Sequence, residues 1–333
     1  SYFLICDVQK APDDVFGSTY SNFSNLGPGF GPYGLAISAD GQHVYVADSG
    51  NDQVALYHVT SNDSLSAYTA YPSSALAVTR QFTDPWQVMI SPDGANVYVT
   101  GSSADAIAVY ARDNDTGALT HMETIHDGSS YGCTYFLAPN APSLGPTCKS
   151  LTGMNGAYGM TISPDGRHLY MTSILSDSVM VFKRQTVVTN TGSLTLPGPF
   201  SPGAGFTQRF TSTQLSRPYG IAVSPDGAQV YVAGYNSDSV LTLSRDVNTG
   251  RLTQVQALGS GTVPELNGVF RVTASADGKH LYTASYDSSA VCAFARSALD
   301  GTLRKVACYT SAGNGGALTM RGEMKVAPAG DIL

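Results

Sequence analysis

The chain has 333 residues, of which 42% are hydrophobic and 13% charged, and 18 Lys and Arg against 25 Asp and Glu leave a net charge of -7. With no basic run, this excludes nucleic acid and anionic membrane as expected partners, and a charge content near half the roughly 25% of an average domain excludes a charge-extended, disordered chain. No apolar stretch reaches the ~18 residues of a membrane helix, so no membrane insertion is expected.

In chain order, residues 2–5 read as the third strand of a blade that the chain enters midway, with a turn at Asp13 and Asp14. From there one unit recurs five times, a Ser-Pro-Asp-Gly or Ser-Ala-Asp-Gly turn at 38–41, 91–94, 163–166, 224–227 and 275–278. Each turn precedes a β-type triplet, at 44–46, 97–99, 169–171, 230–232 and 281–283. The next alternating run starts at Val54, Ile107, Val179, Val240 and Val291, 14 residues after the turn aspartate in every repeat. A fourth segment follows Asp-Thr-Gly at 115–117, Asn-Thr-Gly at 248–250 and Asp-Gly at 300–301. These dipeptides supply the positive φ that tight hairpins need.

Four short antiparallel strands cannot bury both of their faces alone, but units stacked radially bury each face on a neighbour. The expected fold is therefore all-β, a β-propeller of four-stranded antiparallel blades in a single domain over 1–333. Full repeats are expected at about 32–71, 85–126, 157–196, 217–257 and 269–310, a split blade from 1–30 and 321–333, and insertions at about 127–155 and 196–214. The ring has six blades if the two ends share one, and seven if the natural chain extends further.

The series Ser-Pro-Asp-Gly-x-x-Val-Tyr-Val, the strand Asp-Ser-Val-x-Val-Phe-x-Arg at 177–184 and Thr-Gly-x-Leu-Thr at 249–253 resemble the lactonase-type, YVTN-like β-propeller family over about 31–333. The resemblance implies the propeller architecture. The family holds cytosolic 6-phosphogluconolactonases and muconate-cyclising enzymes, and also long secreted or surface proteins. Its shared motif residues form turns and strands, so they transfer a fold and no catalytic group.

Aligned on the turns, the entry of the innermost strand reads Tyr33, Trp86, Tyr158, Tyr219 and Phe270, and the next position Gly34, Gln87, Gly159, Gly220, Arg271 and Glu323. The aromatics are candidates for stacking on a sugar or planar ligand, with Gln87 binding polar groups near the axis; the alternative is inter-blade packing. Arg271 and Glu323 are the catalytic candidates, the arginine for developing carboxylate charge and the glutamate to direct water, unless they simply pair with each other.

Asp52, Asp105, Asp177 and Asp238 recur at one loop position and are expected to cap their own turns, so no metal is assigned to them. His43, His168 and His280 share a position after Asp-Gly and are expected to face solvent. Residues 29–34 match GxGxxG formally but contain Pro32 and run into a strand, so no dinucleotide or other cofactor is expected.

Cys292 and Cys308 lie symmetrically about the turn residue Asp300 and should face each other as a disulfide; Cys133 and Cys148 bracket the first insertion and form a second candidate pair. Two disulfides point to an extracellular or cell-surface location, with glycosylation sequons at Asn22, Asn62 and Asn114. The leading expectation is therefore an extracellular module of a larger surface or structural protein, with protein partners, neighbouring copies or glycan as contacts and residues 129–151 and 197–210 as contact loops. The alternative is a lactone-hydrolysing or cyclising enzyme of the 6-phosphogluconolactonase-like family acting in the central funnel.

Overall fold

A computed structural model describes residues 31–61, 64–66, 68–73, 82–127, 148–184, 194–195 and 208–310. The split blade, Asn22, Asn62, Cys6, Cys133 and Glu323 lie outside the described residues, as do the side chain of Cys148 and most of both contact loops.

The fold is the expected all-β propeller arrangement, seen as five blades. Blade one is β1 (Pro32–Ile37), β2 (His43–Asp48), β3 (Gln53–His58) and β4 (Thr69–Pro72). Blade two is β5 (Pro85–Ile90), β6 (Asn96–Gly101), β7 (Ala106–Arg112), β8 (Leu119–Asp127) and β9 (Cys148–Leu151). Blade three is β10 (Ala157–Ile162), β11 (His168–Ser173), β12 (Ser178–Arg184), β13 (Leu194–Thr195) and β14 (Gln208–Thr211). Blade four is β15 (Pro218–Val223), β16 (Gln229–Gly234), β17 (Ser239–Arg245) and β18 (Leu252–Gly259). Blade five is β19 (Val269–Ala274), β20 (His280–Ser285), β21 (Ala290–Arg296) and β22 (Leu303–Thr310).

Each blade is an antiparallel meander from its innermost to its outer strand. The insertions add to the outside: β9 runs parallel to β8 on the edge of blade two, and β12 pairs with both β13 and β14. The innermost strands lie side by side in chain order, β1 on β5, β5 on β10, β10 on β15 and β15 on β19. Between blades two and three, Tyr98, Ile107, Met160, Leu169 and Phe182 form one apolar layer, where each side chain removed from water contributes roughly 1.5–3 kcal/mol.

The repeated turn closes in the same way in all five blades. In blade four, Ser224 Oγ donates to Asp226 Oδ1 at 2.6 Å, Asp226 Oδ1 accepts from Ala228 N at 3.0 Å, and Ser224 Oγ accepts from Gln229 N at 2.9 Å. Gly227 follows at φ 72°, the left-handed region that glycine enters without steric cost.

Two expectations about side chains are corrected here. His43 and His168 are 2% and 0% exposed, not solvent-facing. The last arginine of the third strand in the next blade reaches back over them, with Arg112 Nη2 to His43 Nδ1 and Arg245 Nη2 to His168 Nδ1 both at 2.8 Å. The same arginines donate through Nε to a tyrosine hydroxyl of the preceding blade, Arg112 to Tyr45, Arg184 to Tyr98, Arg245 to Tyr170 and Arg296 to Tyr231, at 2.8–2.9 Å. Arg184, Arg245 and Arg296 also pair with the turn aspartates Asp93, Asp165 and Asp226 of the preceding blade.

The loop aspartates likewise accept backbone N–H groups, but from the next blade and not from their own turn. Asp52 accepts from Asp84 N, Asp105 from Gly156 N, Asp177 from Arg217 N and Asp238 from Gly268 N, at 2.6–2.7 Å. All four have a left-handed backbone, with φ of 46–50°.

Candidate functional site

The site is built where the inner strands begin. At that point every inner strand slips register against its partner, between Pro32 and Leu35, Pro85 and Gln87, Ala157 and Met160, Pro218 and Ile221, and Val269 and Arg271. A bulge of this kind bends the strand and re-aims a side chain. The residues at the bulge are the aromatic position and its successor singled out by the repeat alignment.

The aromatic rings form a continuous arc across four blades. Ring centroids are 3.7 Å apart for Tyr33 and Trp86, 4.5 Å for Trp86 and Tyr158, and 4.7 Å for Tyr158 and Tyr219, with Tyr235 continuing from Tyr219 at 5.6 Å. Asp84 orients the Trp86 indole, accepting from its Nε1 at 3.1 Å. Burial raises the Tyr158 hydroxyl to about 12, with the nearby Arg271 charge pulling the other way. The Arg271 guanidinium lies 5.5 Å from the centroids of both the Tyr158 and Phe270 rings, a cation–π arrangement.

Glycine at the next position lets the inner strands approach. A Cβ on Gly159 would lie 2.0 Å from the Tyr219 carbonyl oxygen, and one on Gly34 would lie 2.6 Å from the Trp86 carbonyl oxygen. Two blades break this rule with large polar side chains, Gln87 and Arg271, and both line one channel of about 270 Å³. The channel follows the inner strands past Met160, Thr161 and Ile221 to Pro225 at the far turn. Gln87 Oε1 accepts from Met160 N at 2.5 Å, and its Nε2 is a donor group. Arg271 and Gln87 thus present donors, the polarity that suits negative charge developing on a bound oxygen.

Among the described residues, no three His, Cys, Asp or Glu side chains come together as a metal site would require. Asn114, the described sequon residue, is exposed, and its Oδ1 accepts from Arg112 Nη1 at 2.6 Å. Cys292 and Cys308 are directly opposite in β21 and β22 and joined, with Cα atoms 4.0 Å apart.

Fold and channel together define a β-propeller whose inner strands line a channel carrying two large polar side chains, Gln87 and Arg271. The chain belongs to the family described as "Lactonase, 7-bladed beta-propeller", whose model matches residues 27–136 and 141–266. An uncharacterised protein of Lactococcus lactis subsp. cremoris is 25% identical over 220 residues, 66% of this chain and 53% of its own length. A 6-phosphogluconolactonase of Photorhabdus laumondii subsp. laumondii is 30% identical over 115 residues, 34% of this chain and 30% of its own. This chain spans about half the length, or less, of the curated relatives it matches. Among solved structures, a candidate 6-phosphogluconolactonase of Bacteroides fragilis superposes with a TM-score of 0.65 at 20% identity, over 90% of this chain and 75% of that one, a likeness of fold.

These matches overturn the leading expectation of an extracellular structural module and favour the lactonase alternative. The physical reason lies on the axis. A ring serving only as scaffold has no need to interrupt its close-packing glycines, whereas this one places an amide and a guanidinium in a common channel.

Proposed function

We propose that the protein opens a lactone ring by hydrolysis in the central channel. The observation that carries this reading is the convergence of Gln87 and Arg271 in one cavity of a chain from the lactonase family. Water adds to the lactone carbonyl, charge builds on the carbonyl oxygen, and the ring C–O bond breaks to leave a carboxylate and a hydroxyl. A fixed guanidinium and an amide donor stabilise that charge more strongly in the transition state than in the neutral lactone. In this reading the aromatic arc shields one side of the channel, so the donors act in a medium less polar than water. Glu323, outside the described residues, is proposed to direct the attacking water.

The disulfide between Cys292 and Cys308 supports action in an oxidising compartment. The test is a panel of five- and six-membered sugar lactones and a muconate-type lactone, followed by acid release in weakly buffered solution. Turnover above the spontaneous rate supports the reading, and background rates across the panel refute it.

A further inference from the structure

Resting on that reading, we propose that Tyr158 is a positioning residue for the reaction, holding the Arg271 guanidinium directly and Gln87 through Thr100. Gln87 comes from blade two and Arg271 from blade five, and one segment of β10 in blade three, residues 158–160, contacts both.

On the blade-two side, Thr100 is the register partner of Gln87 and is fully buried. The Tyr158 carbonyl can only accept, so the Thr100 hydroxyl donates to it, at 2.8 Å, and the hydroxyl oxygen accepts from Gln87 N at 3.1 Å. Two residues on, Met160 N can only donate, which identifies the amide atom facing it as Gln87 Oε1 and fixes the side of Nε2. Backbone and amide of Gln87 are thus both anchored on β10.

Arg271 reaches the same segment across blade four. Gly220, at the corresponding position there, carries no side chain, and a Cβ on it would lie 2.8 Å from Arg271 Cα. The guanidinium lies 5.5 Å from the Tyr158 ring centroid and hydrogen-bonds the Tyr158 hydroxyl. Burial raises that hydroxyl to about 12, so it is protonated at neutral pH and fixes the guanidinium without cancelling its charge. Tyr158 is itself 7% exposed, with its ring packed on both Trp86 and Tyr219. The long arginine side chain is therefore ordered before substrate arrives, and two donors set by one strand segment meet a developing oxyanion without rearrangement.

Tyr158→Phe keeps the ring and the backbone carbonyl and removes only the hydroxyl. It should lower kcat for lactone opening roughly tenfold with little change in KM. In an Arg271→Ala background the same substitution should change kcat by less than about twofold, because it acts through the guanidinium. Thr100→Val should lower kcat, and Thr100→Ser, which keeps the hydroxyl, should retain it. Independently of turnover, the Arg271 Nε–H resonance of the 15N-labelled protein, identified by its loss in Arg271→Ala, should shift in Tyr158→Phe. An undiminished rate in Tyr158→Phe, a loss of equal size in both backgrounds, equal losses in the two Thr100 variants, or an unmoved Arg271 resonance overturns the proposal, and turnover in the unaltered protein would leave the hydrolase reading standing. A shifted resonance in a protein that turns over no lactone would do the reverse, upholding the hold on Arg271 and refuting hydrolysis.

Discussion

Arg245 and Tyr170 belong to different blades, yet Arg245 Nε donates to the Tyr170 hydroxyl at 2.8 Å, and that hydroxyl donates onward to the Gly250 carbonyl at 3.1 Å. The same guanidinium pairs with Asp165 at 2.8 Å and reaches His168. Its side chain is 1% exposed while the carboxylate is 33% exposed. Removing the arginine takes a partner from four groups, Tyr170, Asp165, His168 and the Gly227 carbonyl, so Arg245→Met is expected to cost about 3 kcal/mol, at the low end for a buried pair because solvent screens Asp165. Lys279 and Asp277, 3.7 Å apart and 76% and 51% exposed, provide the contrast, and Lys279→Ala should change stability by less than about 0.5 kcal/mol. Urea unfolding of both variants checks the difference.

Acid should loosen the ring in two stages. His168 is held at about 4, first by burial and then by the Arg245 charge, and burial holds His121 at about 4 as well. An unfolded histidine titrates near ~6.5, so between there and 4 the unfolded chain binds more protons and stability falls as pH falls. For Asp165, burial alone would raise the carboxyl, but hydrogen bonds from Ser163 and Arg245 outweigh it and hold the group at about 2. Its contribution is lost below the unfolded value of ~3.9, as pH drops toward 2. Asn96 occupies the equivalent place in blade two and accepts from Arg184 at 2.9 Å. His168→Asn should therefore flatten the melting-temperature profile between pH 6.5 and 4, and an unchanged slope would show that His168 is not the group responsible.

Gly159 tests the close approach of the inner strands. Its Cβ position lies 2.0 Å from one backbone oxygen and 2.9 Å from Thr172 Oγ1, whereas nothing lies within 4 Å of that of Gly261. Gly159→Ala is expected to cost about 3 kcal/mol by overpacking, and Gly261→Ala to stay within about 0.5 kcal/mol. Thermal melts of the pair decide it.

Cys292 and Cys308 are 16 residues apart in sequence, and closing a loop of that size restricts the unfolded chain by about 3 kcal/mol. Peptide mapping without reduction should recover the two cysteines in one linked species. The Cys292→Ala, Cys308→Ala double variant should unfold at lower urea concentration, and equal stability would mean the bridge adds nothing to blade five.

Local features of this fold are plain in the chain because each rests on neighbours in sequence. The Ser-Pro-Asp-Gly turn carries its own acceptor, donor and left-handed glycine within a few residues, and the symmetric placement of Cys292 and Cys308 about a hairpin turn is enough to pair them. What joins one blade to the next is hidden. Arg112, Arg184, Arg245 and Arg296 recur at one strand position, but their tyrosine partners lie 65 to 86 residues away. A histidine after Asp-Gly therefore reads as surface until the next blade is placed over it. Gln87 and Arg271 stand out in an alignment of repeats as departures from glycine, yet only the curvature of the stacked blades brings them to one channel.

The central claim is tested most directly by the rate of lactone opening in the unaltered protein and in Arg271→Ala. The account predicts measurable turnover of at least one sugar lactone, falling roughly a hundredfold in kcat when the guanidinium is removed, with the melting temperature little changed. Turnover that survives Arg271→Ala undiminished, or its absence from the unaltered protein across the lactone panel, would contradict it.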